Sequence, residues 1–85
     1  MEFSVQITNR AERSLKRIPA TDQRRLMAAI ESMRADPLGG DVVKLKGTDA
    51  FRRRVGDYRI IFSIDRRGLA VRILDVPRRT TTTYR

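Results

Sequence analysis

The stretch FRRRVGDYRIIFSI, residues 51–64, carries the strongest structural signal in the sequence. Along its second half, apolar residues alternate with other residues at Tyr58, Ile60, Phe62 and Ile64. Phe51 and Val55 share one side of its first half. This period of two is typical of half-buried β-strands, and Gly56-Asp57 between the halves predicts a tight hairpin turn. Residues 51–64 therefore predict two neighbouring antiparallel strands.

Upstream of this hairpin, a strand is followed by a helix. Phe3, Val5 and Ile7 alternate with polar residues, as in a strand. Thr8 or Asn9 can then cap a helix. Its apolar face holds Ala11, Leu15 and Ile18, and Pro19 ends it.

A second helix is predicted after Pro19. Thr21 is the candidate cap, and the helix runs to about Arg34. Its apolar residues at helical spacing are Leu26, Met27, Ile30 and Met33. Asp36-Pro37 ends the helix, and Gly39-Gly40 forms a loop.

Downstream of the hairpin, one more strand is predicted. Asp65-Arg66-Arg67-Gly68 forms a turn with Gly68 at positive φ. The strand holds Leu69, Val71 and Ile73 and can continue to Val76. The chain is thus predicted to be one α+β domain, residues 1–85, in the order β-α-α-β-β-β. Two N-terminal helices pack on one face of a small curved antiparallel sheet.

Positive charge is concentrated in the second half of the chain. The net charge is +9, of which residues 44–85 carry +8 and residues 1–43 carry +1. Sixteen of the 19 cations are arginine, whose planar guanidinium binds phosphate bidentately and stacks on bases. This asymmetry favours a polyanion-binding surface over an evenly solvated one.

The composition also excludes several classes of site. The chain has no cysteine and no histidine, so disulfides, thiolate or imidazole metal ligands and histidine acid–base catalysis are excluded. We predict no metal and no cofactor. No apolar run approaches the roughly 20 residues of a membrane span, and the N-terminus does not resemble a secretory signal. A cytoplasmic protein without membrane contact is expected.

Strand alternation brings three arginines together. If Phe51 and Val55 face the core, then Arg52, Arg54 and Arg59 converge on the open face of the sheet. Other cations that flank this cluster along the chain are Lys44, Lys46, Arg78 and Arg79. The simpler alternative is that these charges only keep an open sheet face soluble.

Two further residues call for separate interpretation. Arg53 falls on the inferred core face, so it must lie near an edge or extend its charged head to solvent. Tyr84 lies one residue from the C-terminal end of the sequence. It is either part of a frayed tail or a ring that stacks on a base, and Arg78, Arg79 and Arg85 nearby favour stacking.

These residues resemble the RelE/ParE toxin superfamily of bacterial toxin–antitoxin pairs. The similar segments are KLKG at residues 44–47, FRRRVGDYRIIF at residues 51–62 and VRILDV at residues 71–76. The early Thr8-x-x-Ala11 and the terminal Tyr84-Arg85 also match. The resemblance covers nearly the whole chain, and its specificity comes from the order of the segments.

The resemblance implies a RelE-like, ribosome-dependent mRNA endonuclease. Such a toxin enters the ribosomal A site and contacts mRNA and ribosomal RNA. The ribose 2′-hydroxyl attacks the adjacent phosphate, giving a 2′,3′-cyclic phosphate and a free 5′-hydroxyl, without a metal. A cognate antitoxin encoded by the adjacent gene would neutralise the toxin.

The resemblance also implies residue roles. Arg52, Arg54 and Arg59 match phosphate-binding positions, and Arg79, or Arg78, matches the arginine just past the last strand. Tyr84 matches the tyrosine that stacks on the substrate base. Further RNA-binding positions are Lys44, Lys46, Arg78 and Arg85. Well-studied members have lysine at positions matching Arg52 and Arg54, and arginine there favours phosphate binding over proton removal.

Two alternatives remain open. The ParE branch of the superfamily shares the fold but inhibits DNA gyrase and lacks the nuclease residues. The retained terminal arginine and tyrosine favour the RelE branch. The other alternative is a noncatalytic nucleic-acid-binding module.

Overall fold

The computed structural model describes residues 2–78, which form two helices and five strands. In chain order these are β1 (Ser4–Ile7), α1 (Asn9–Lys16), α2 (Ala20–Ser32), β2 (Val42–Lys44), β3 (Ala50–Val55), β4 (Tyr58–Asp65) and β5 (Ala70–Asp75). The predicted α+β class and the predicted order of elements are confirmed. The short strand β2 is an addition that the sequence pattern did not predict.

The five strands form one sheet in the order β1-β5-β4-β3-β2. β3, β4 and β5 make the predicted antiparallel meander, and β2 adds to its outer edge. β1 instead pairs in parallel with β5, so the sheet is mixed rather than wholly antiparallel. A parallel pair needs a long crossover, and the two helices lie in the connection between β1 and the meander.

The first helix is anchored to the sheet by its cap. The Thr8 hydroxyl oxygen accepts a hydrogen bond from the Ala11 backbone N–H at 3.3 Å, which satisfies a free donor of the first turn. The same hydroxyl donates to the Ile73 carbonyl at 2.8 Å. The cap predicted at Thr8 is confirmed, and it also fixes α1 against β5.

The second helix begins two residues earlier than predicted. Pro19, not Thr21, is the N-cap of α2, and the Gln23 N–H donates to the Pro19 carbonyl at 2.8 Å. The Gln23 side-chain amide donates to the Leu15 carbonyl at 2.7 Å, which satisfies an acceptor at the end of α1. Neither helix within residues 2–78 is long and apolar enough to cross a membrane.

Both helices bury their apolar residues against one face of the sheet. The centre of this core is fully enclosed at Leu26, Met33, Ile60, Phe62, Val71 and Ile73. Phe51 stacks on Phe62 with ring centroids 5.6 Å apart. Met27, predicted for the apolar face of α2, is 41% exposed, because that position turns away from the sheet. The opposite face of the sheet, which we call the open face, is left for other contacts.

Two glycines shape the turns that join the meander strands. Gly56 has a φ of 58°, as the predicted hairpin between β3 and β4 requires. In the turn after β4, positive φ falls on Leu69 at 51° and not on Gly68, contrary to prediction. A Cβ atom at Gly68 would lie 2.6 Å from an Asp65 carboxylate oxygen, so the Asp65 side chain would have to move to accept one.

Candidate nucleic-acid interface

The register of β3 and β4 assigns each arginine of the hairpin to a face. Phe51 lies opposite Phe62, and Arg53 lies opposite the buried Ile60, so these positions point toward the helices. The alternate positions point to the open face. There, Arg52 lies opposite Ile61, and Arg54 lies opposite Arg59. The structure therefore brings Arg52, Arg54 and Arg59 onto one surface.

The paired cations Arg54 and Arg59 are the densest charge on the open face. Residues directly opposite each other in an antiparallel pair have Cα atoms about 4.5–5.5 Å apart, so two guanidinium groups share a small area. Like charges placed directly opposite are unfavourable in the free protein. A bound phosphate would relieve this repulsion and accept hydrogen bonds from both side chains.

Little negative charge compensates these arginines within the described residues. The four ion pairs found in residues 2–78 involve Arg10, Arg25, Arg34 and Arg54. Arg52 and Arg59 therefore have no carboxylate within 4.0 Å in that part of the chain. Arg54 approaches Asp41 at 3.8 Å, and both side chains are about half exposed. An exposed pair at this distance contributes little, so Arg54 stays able to bind an anion.

Arg53 extends away from this surface and binds α2. Its guanidinium donates to the Ala29 carbonyl at 3.3 Å and to the Ser32 hydroxyl at 3.0 Å. The cation thus lies at the C-terminal end of the helix, where the helix dipole favours positive charge. This resolves how an arginine can occupy the core-facing side of β3, and it gives Arg53 a structural role.

The chain after β5 turns along β4 near the paired arginines. The Arg59 N–H donates to the Pro77 carbonyl at 3.0 Å, and Arg78 forms a bridge with Tyr58. Because bridge partners share a face, Arg78 lies on the helix side of the sheet. There it lines a cavity of about 560 Å³ together with Arg17 and Asp22. Arg78 is thus near Arg59 along the backbone but does not share the open face.

The remaining predicted residues lie at the edge of the sheet or outside the described part. Lys44 ends β2 opposite Phe51 and is exposed, and Lys46 follows in the exposed segment before β3. Both are at the sheet edge beyond β3, and Lys44, which pairs with Phe51, lies on the helix side and not on the open face. Arg79, Tyr84 and Arg85 lie outside residues 2–78, so their predicted roles stay predictions.

Sequence reasoning missed two features of the open face. The first is Asp41, which lies next to Arg54 because the unpredicted strand β2 brings it there. The second is Arg72 on β5, which pairs with Ser63 of β4 and Gln6 of β1. A signal for Arg72 was available, since it lies between the alternating core residues Val71 and Ile73.

No group of three potential metal-ligating side chains occurs in the described residues. The chemical groups gathered on the open face include guanidinium donors, the Asp41 carboxylate, a serine hydroxyl, the Gln6 amide and apolar side chains. Such a surface can bind and polarise phosphate groups, because guanidinium offers paired donors with fixed positive charge.

Residues 5–82 match the model of a family described as the ParE toxin of the type II toxin–antitoxin system parDE. The chain belongs to the RelE/ParE toxin superfamily. It is also 30% identical over 68 residues to a putative toxin RelE1 of Methanocaldococcus jannaschii, covering 75% of this chain and 76% of that protein.

Solved structures of this superfamily share the fold. RelE in the RelE–RelB complex of Pyrococcus horikoshii is 30% identical and superposes with a TM-score of 0.86, covering 96% of this chain and 100% of that one. The match to the RelBE2 toxin–antitoxin complex of Mycobacterium tuberculosis is 26% identical with a TM-score of 0.85, covering 93% and 100%. The family resemblance in the sequence is confirmed over nearly the whole chain.

Proposed function

We propose that this chain is a RelE-like toxin that cleaves mRNA in the ribosomal A site. The observation that carries the proposal is the convergence of Arg52, Arg54 and Arg59 on one open face of a RelE/ParE-family fold. Three fixed cations on one side of a sheet supply the positive charge that phosphodiester cleavage requires. We place the protein in the cytoplasm, where ribosomes are.

The proposed reaction is an internal transfer at phosphorus. The 2′ oxygen loses its proton to solvent and bonds to phosphorus, while the bond from phosphorus to the 5′ oxygen breaks and that oxygen gains a proton. The products are a 2′,3′-cyclic phosphate and a 5′-hydroxyl. Arg54 and Arg59 hold the non-bridging oxygens, because they lie directly opposite each other on the open face. Arg52, one row along the same face, assists them.

Other residues complete the proposed site. Lys46 adds charge from the sheet edge. Arg79 stabilises the leaving oxygen in preference to Arg78, since Arg78 lies on the helix side with Tyr58. Tyr84 stacks on a base and orients the 2′-hydroxyl for attack, and Lys44 and Arg85 contact RNA nearby. Arginine retains its charge, so Arg52 and Arg54 bind phosphate rather than remove the proton.

Cleavage should depend on Arg59 and not on charge in general. We expect Arg59→Ala to slow single-turnover cleavage of mRNA in a programmed ribosome by roughly 10²–10³, as for loss of one preorganised donor. Arg67→Ala removes the same charge from the turn after β4, about 20 Å from Arg59 along the strand, and should cut at the wild-type rate.

The same assay separates this proposal from a second candidate. The matching family model is that of the ParE toxin, which favours gyrase inhibition as the alternative. If the wild type leaves mRNA intact but blocks DNA supercoiling by purified gyrase, the ParE-like function is correct. Equal cleavage by the wild type and Arg59→Ala would refute the assigned site while retaining the nuclease.

We further propose that a cognate antitoxin covers this domain. The Pyrococcus horikoshii and Mycobacterium tuberculosis relatives were solved in complexes with antitoxins. The +8 half of this chain suits an acidic, partly disordered segment that folds on binding. Coexpression with the adjacent gene product should give a stable complex, and failure to copurify at low and moderate salt would contradict the pairing.

A further inference from the structure

The open face continues beyond the arginines assigned to cleavage. Four rows of side chains cross it, as read from the strand registers, and the last, with Asp65, Ala70 and Ser4, carries no cation. The first row holds Asp41, Arg54 and Arg59. The second row holds Val43, Arg52 and Ile61. The third row holds Ser63, Arg72 and Gln6, which no part of the proposed reaction uses.

Arg72 is held outward by its neighbours on β5. Val71 and Ile73 are both fully buried in the core, so alternation directs Arg72 to the open face, where it is exposed. Within residues 2–78 no carboxylate lies within 4.0 Å of its guanidinium. The hydroxyl of Ser63 and the amide of Gln6 lie in the same row on either side. This row therefore offers a cation flanked by two hydrogen-bonding side chains.

The spacing of the rows separates this group from the cleavage site. Ser63 follows Arg59 by four residues on β4, which is about 13 Å along the strand. Arg72 lies opposite Ser63, so the backbone positions of Arg59 and Arg72 are separated by about this distance or more. This spacing suits contacts to two different phosphates along one strand.

The second row places apolar side chains on both sides of a cation, Arg52. Val43 is 46% exposed and Ile61 is partly exposed, so the row presents apolar surface on both sides of Arg52. A single strand of RNA alternates charged phosphates with ribose and base. Cations in three successive rows, with apolar side chains flanking Arg52, match that alternation.

We infer that Arg72, with Ser63 and Gln6, binds a second phosphate of the same RNA strand, beyond the linkage that is cut. The inference rests on the proposed function and deepens it, because it gives the path of the RNA across the open face. The role is in binding: Arg72 holds the strand in register, while the first row acts on the scissile phosphate. An acidic segment of the antitoxin is the competing occupant, and it makes a different prediction.

The test uses the full-length toxin and programmed ribosomes. Neutral methylphosphonate linkages replace single phosphates of the mRNA, one position at a time, on either side of the scissile linkage. We expect Arg72→Ala to raise the toxin concentration for half-maximal cleavage roughly tenfold, the low end for a hydrogen bond to a charged group. The rate at saturation should stay within about twofold of wild type, since the first row is intact.

In the wild type, a neutral linkage at one position of the mRNA should raise the toxin concentration for half-maximal cleavage as much as Arg72→Ala does. At that position alone, Arg72→Ala should add no further loss, because the contact is already absent. Arg66→Ala, which removes one charge from the turn after β4, is the matched control and should behave as wild type at every linkage. Arg72→Lys should recover part of the affinity, since it keeps the charge but loses the bidentate geometry.

Three results would overturn the inference. The first is an unchanged toxin concentration for half-maximal cleavage in Arg72→Ala. The second is a loss of mRNA affinity no larger than that of Arg66→Ala. The third is a loss of antitoxin affinity in Arg72→Ala with normal mRNA affinity. If the wild type does not cut, the proposed function fails, but the inference is still tested. Binding of mRNA with a 2′-O-methyl group at the attacking ribose is then measured for the wild type, Arg72→Ala and Arg66→Ala.

Discussion

Neighbouring arginines on β3 have different roles because successive residues of a strand face opposite sides. Arg53 donates to the end of α2, whereas Arg52 and Arg54 face solvent on the open face. Identical side chains at adjacent positions of a strand can therefore serve stability or binding. Net charge by itself does not distinguish the two roles, but strand register does.

Asp41 should restrain the affinity of the open face for RNA. Its carboxylate lies 3.8 Å from the Arg54 guanidinium, so an incoming phosphate must compete with it. We expect Asp41→Asn to tighten RNA binding by up to about fivefold, because an exposed pair is worth at most about 1 kcal/mol. Titration of a 2′-O-methylated single-stranded RNA measures this effect.

The control for this change is Asp49→Asn, which removes an exposed carboxylate from the segment between β2 and β3. It alters net charge by the same amount without contacting Arg54. Equal tightening in both variants would show that the effect comes from overall charge and not from the pair.

At the scale of elements, the bonds made by Arg53 should stabilise the packing of α2 on β3. We expect Arg53→Ala to lower the free energy of unfolding by about 1–3 kcal/mol, because it removes two hydrogen bonds to a charged donor at a helix end. Urea denaturation followed by circular dichroism measures this loss. Arg66→Ala, in an exposed turn, should stay within about 0.5 kcal/mol of wild type.

The elements predicted correctly are those with a repeating local pattern. Alternation from Tyr58 to Ile64 spans four apolar positions, and it predicted β4 and its face. The short strand β2 has three residues, Val42–Lys44, which is too few for any period to show. The parallel pairing of β1 with β5 joins residues 66 positions apart, as in Val5 with Val71, and no local pattern encodes such a pairing.

The candidate site, like the fold, was predicted where the signal is local and missed where it depends on distant parts of the chain. Alternation predicted that Arg52, Arg54 and Arg59 share a face, since it needs only neighbours along the chain and one hairpin. The position of Arg78 on the helix side was not predictable, because it depends on how the chain leaves β5 and bridges to Tyr58. Asp41 was missed for a similar reason, since it reaches Arg54 only through β2.

At the scale of the whole molecule, the charge of +9 should make binding to single-stranded RNA depend steeply on salt. If Arg52, Arg54, Arg59 and Arg72 each neutralise one phosphate, the slope of log K against log salt should be about −2.8, because each contact on a single strand contributes about −0.7. That slope corresponds to a loss of roughly 50-fold in affinity between 50 and 200 mM salt.

The salt dependence also tests which charges take part. Removing one contact, as in Arg59→Ala, should make the slope shallower by about 0.7, whereas Arg67→Ala should leave it unchanged although both variants lose one charge. If the attraction were diffuse, the slope would change equally in both variants, because it would depend only on total charge. Titrations of one 2′-O-methylated RNA at four salt concentrations with the wild type and both variants distinguish these cases. If the RNA affinity of the wild type did not change with salt concentration, the open face would not contact phosphates. Counterions compete with every phosphate contact that an arginine makes.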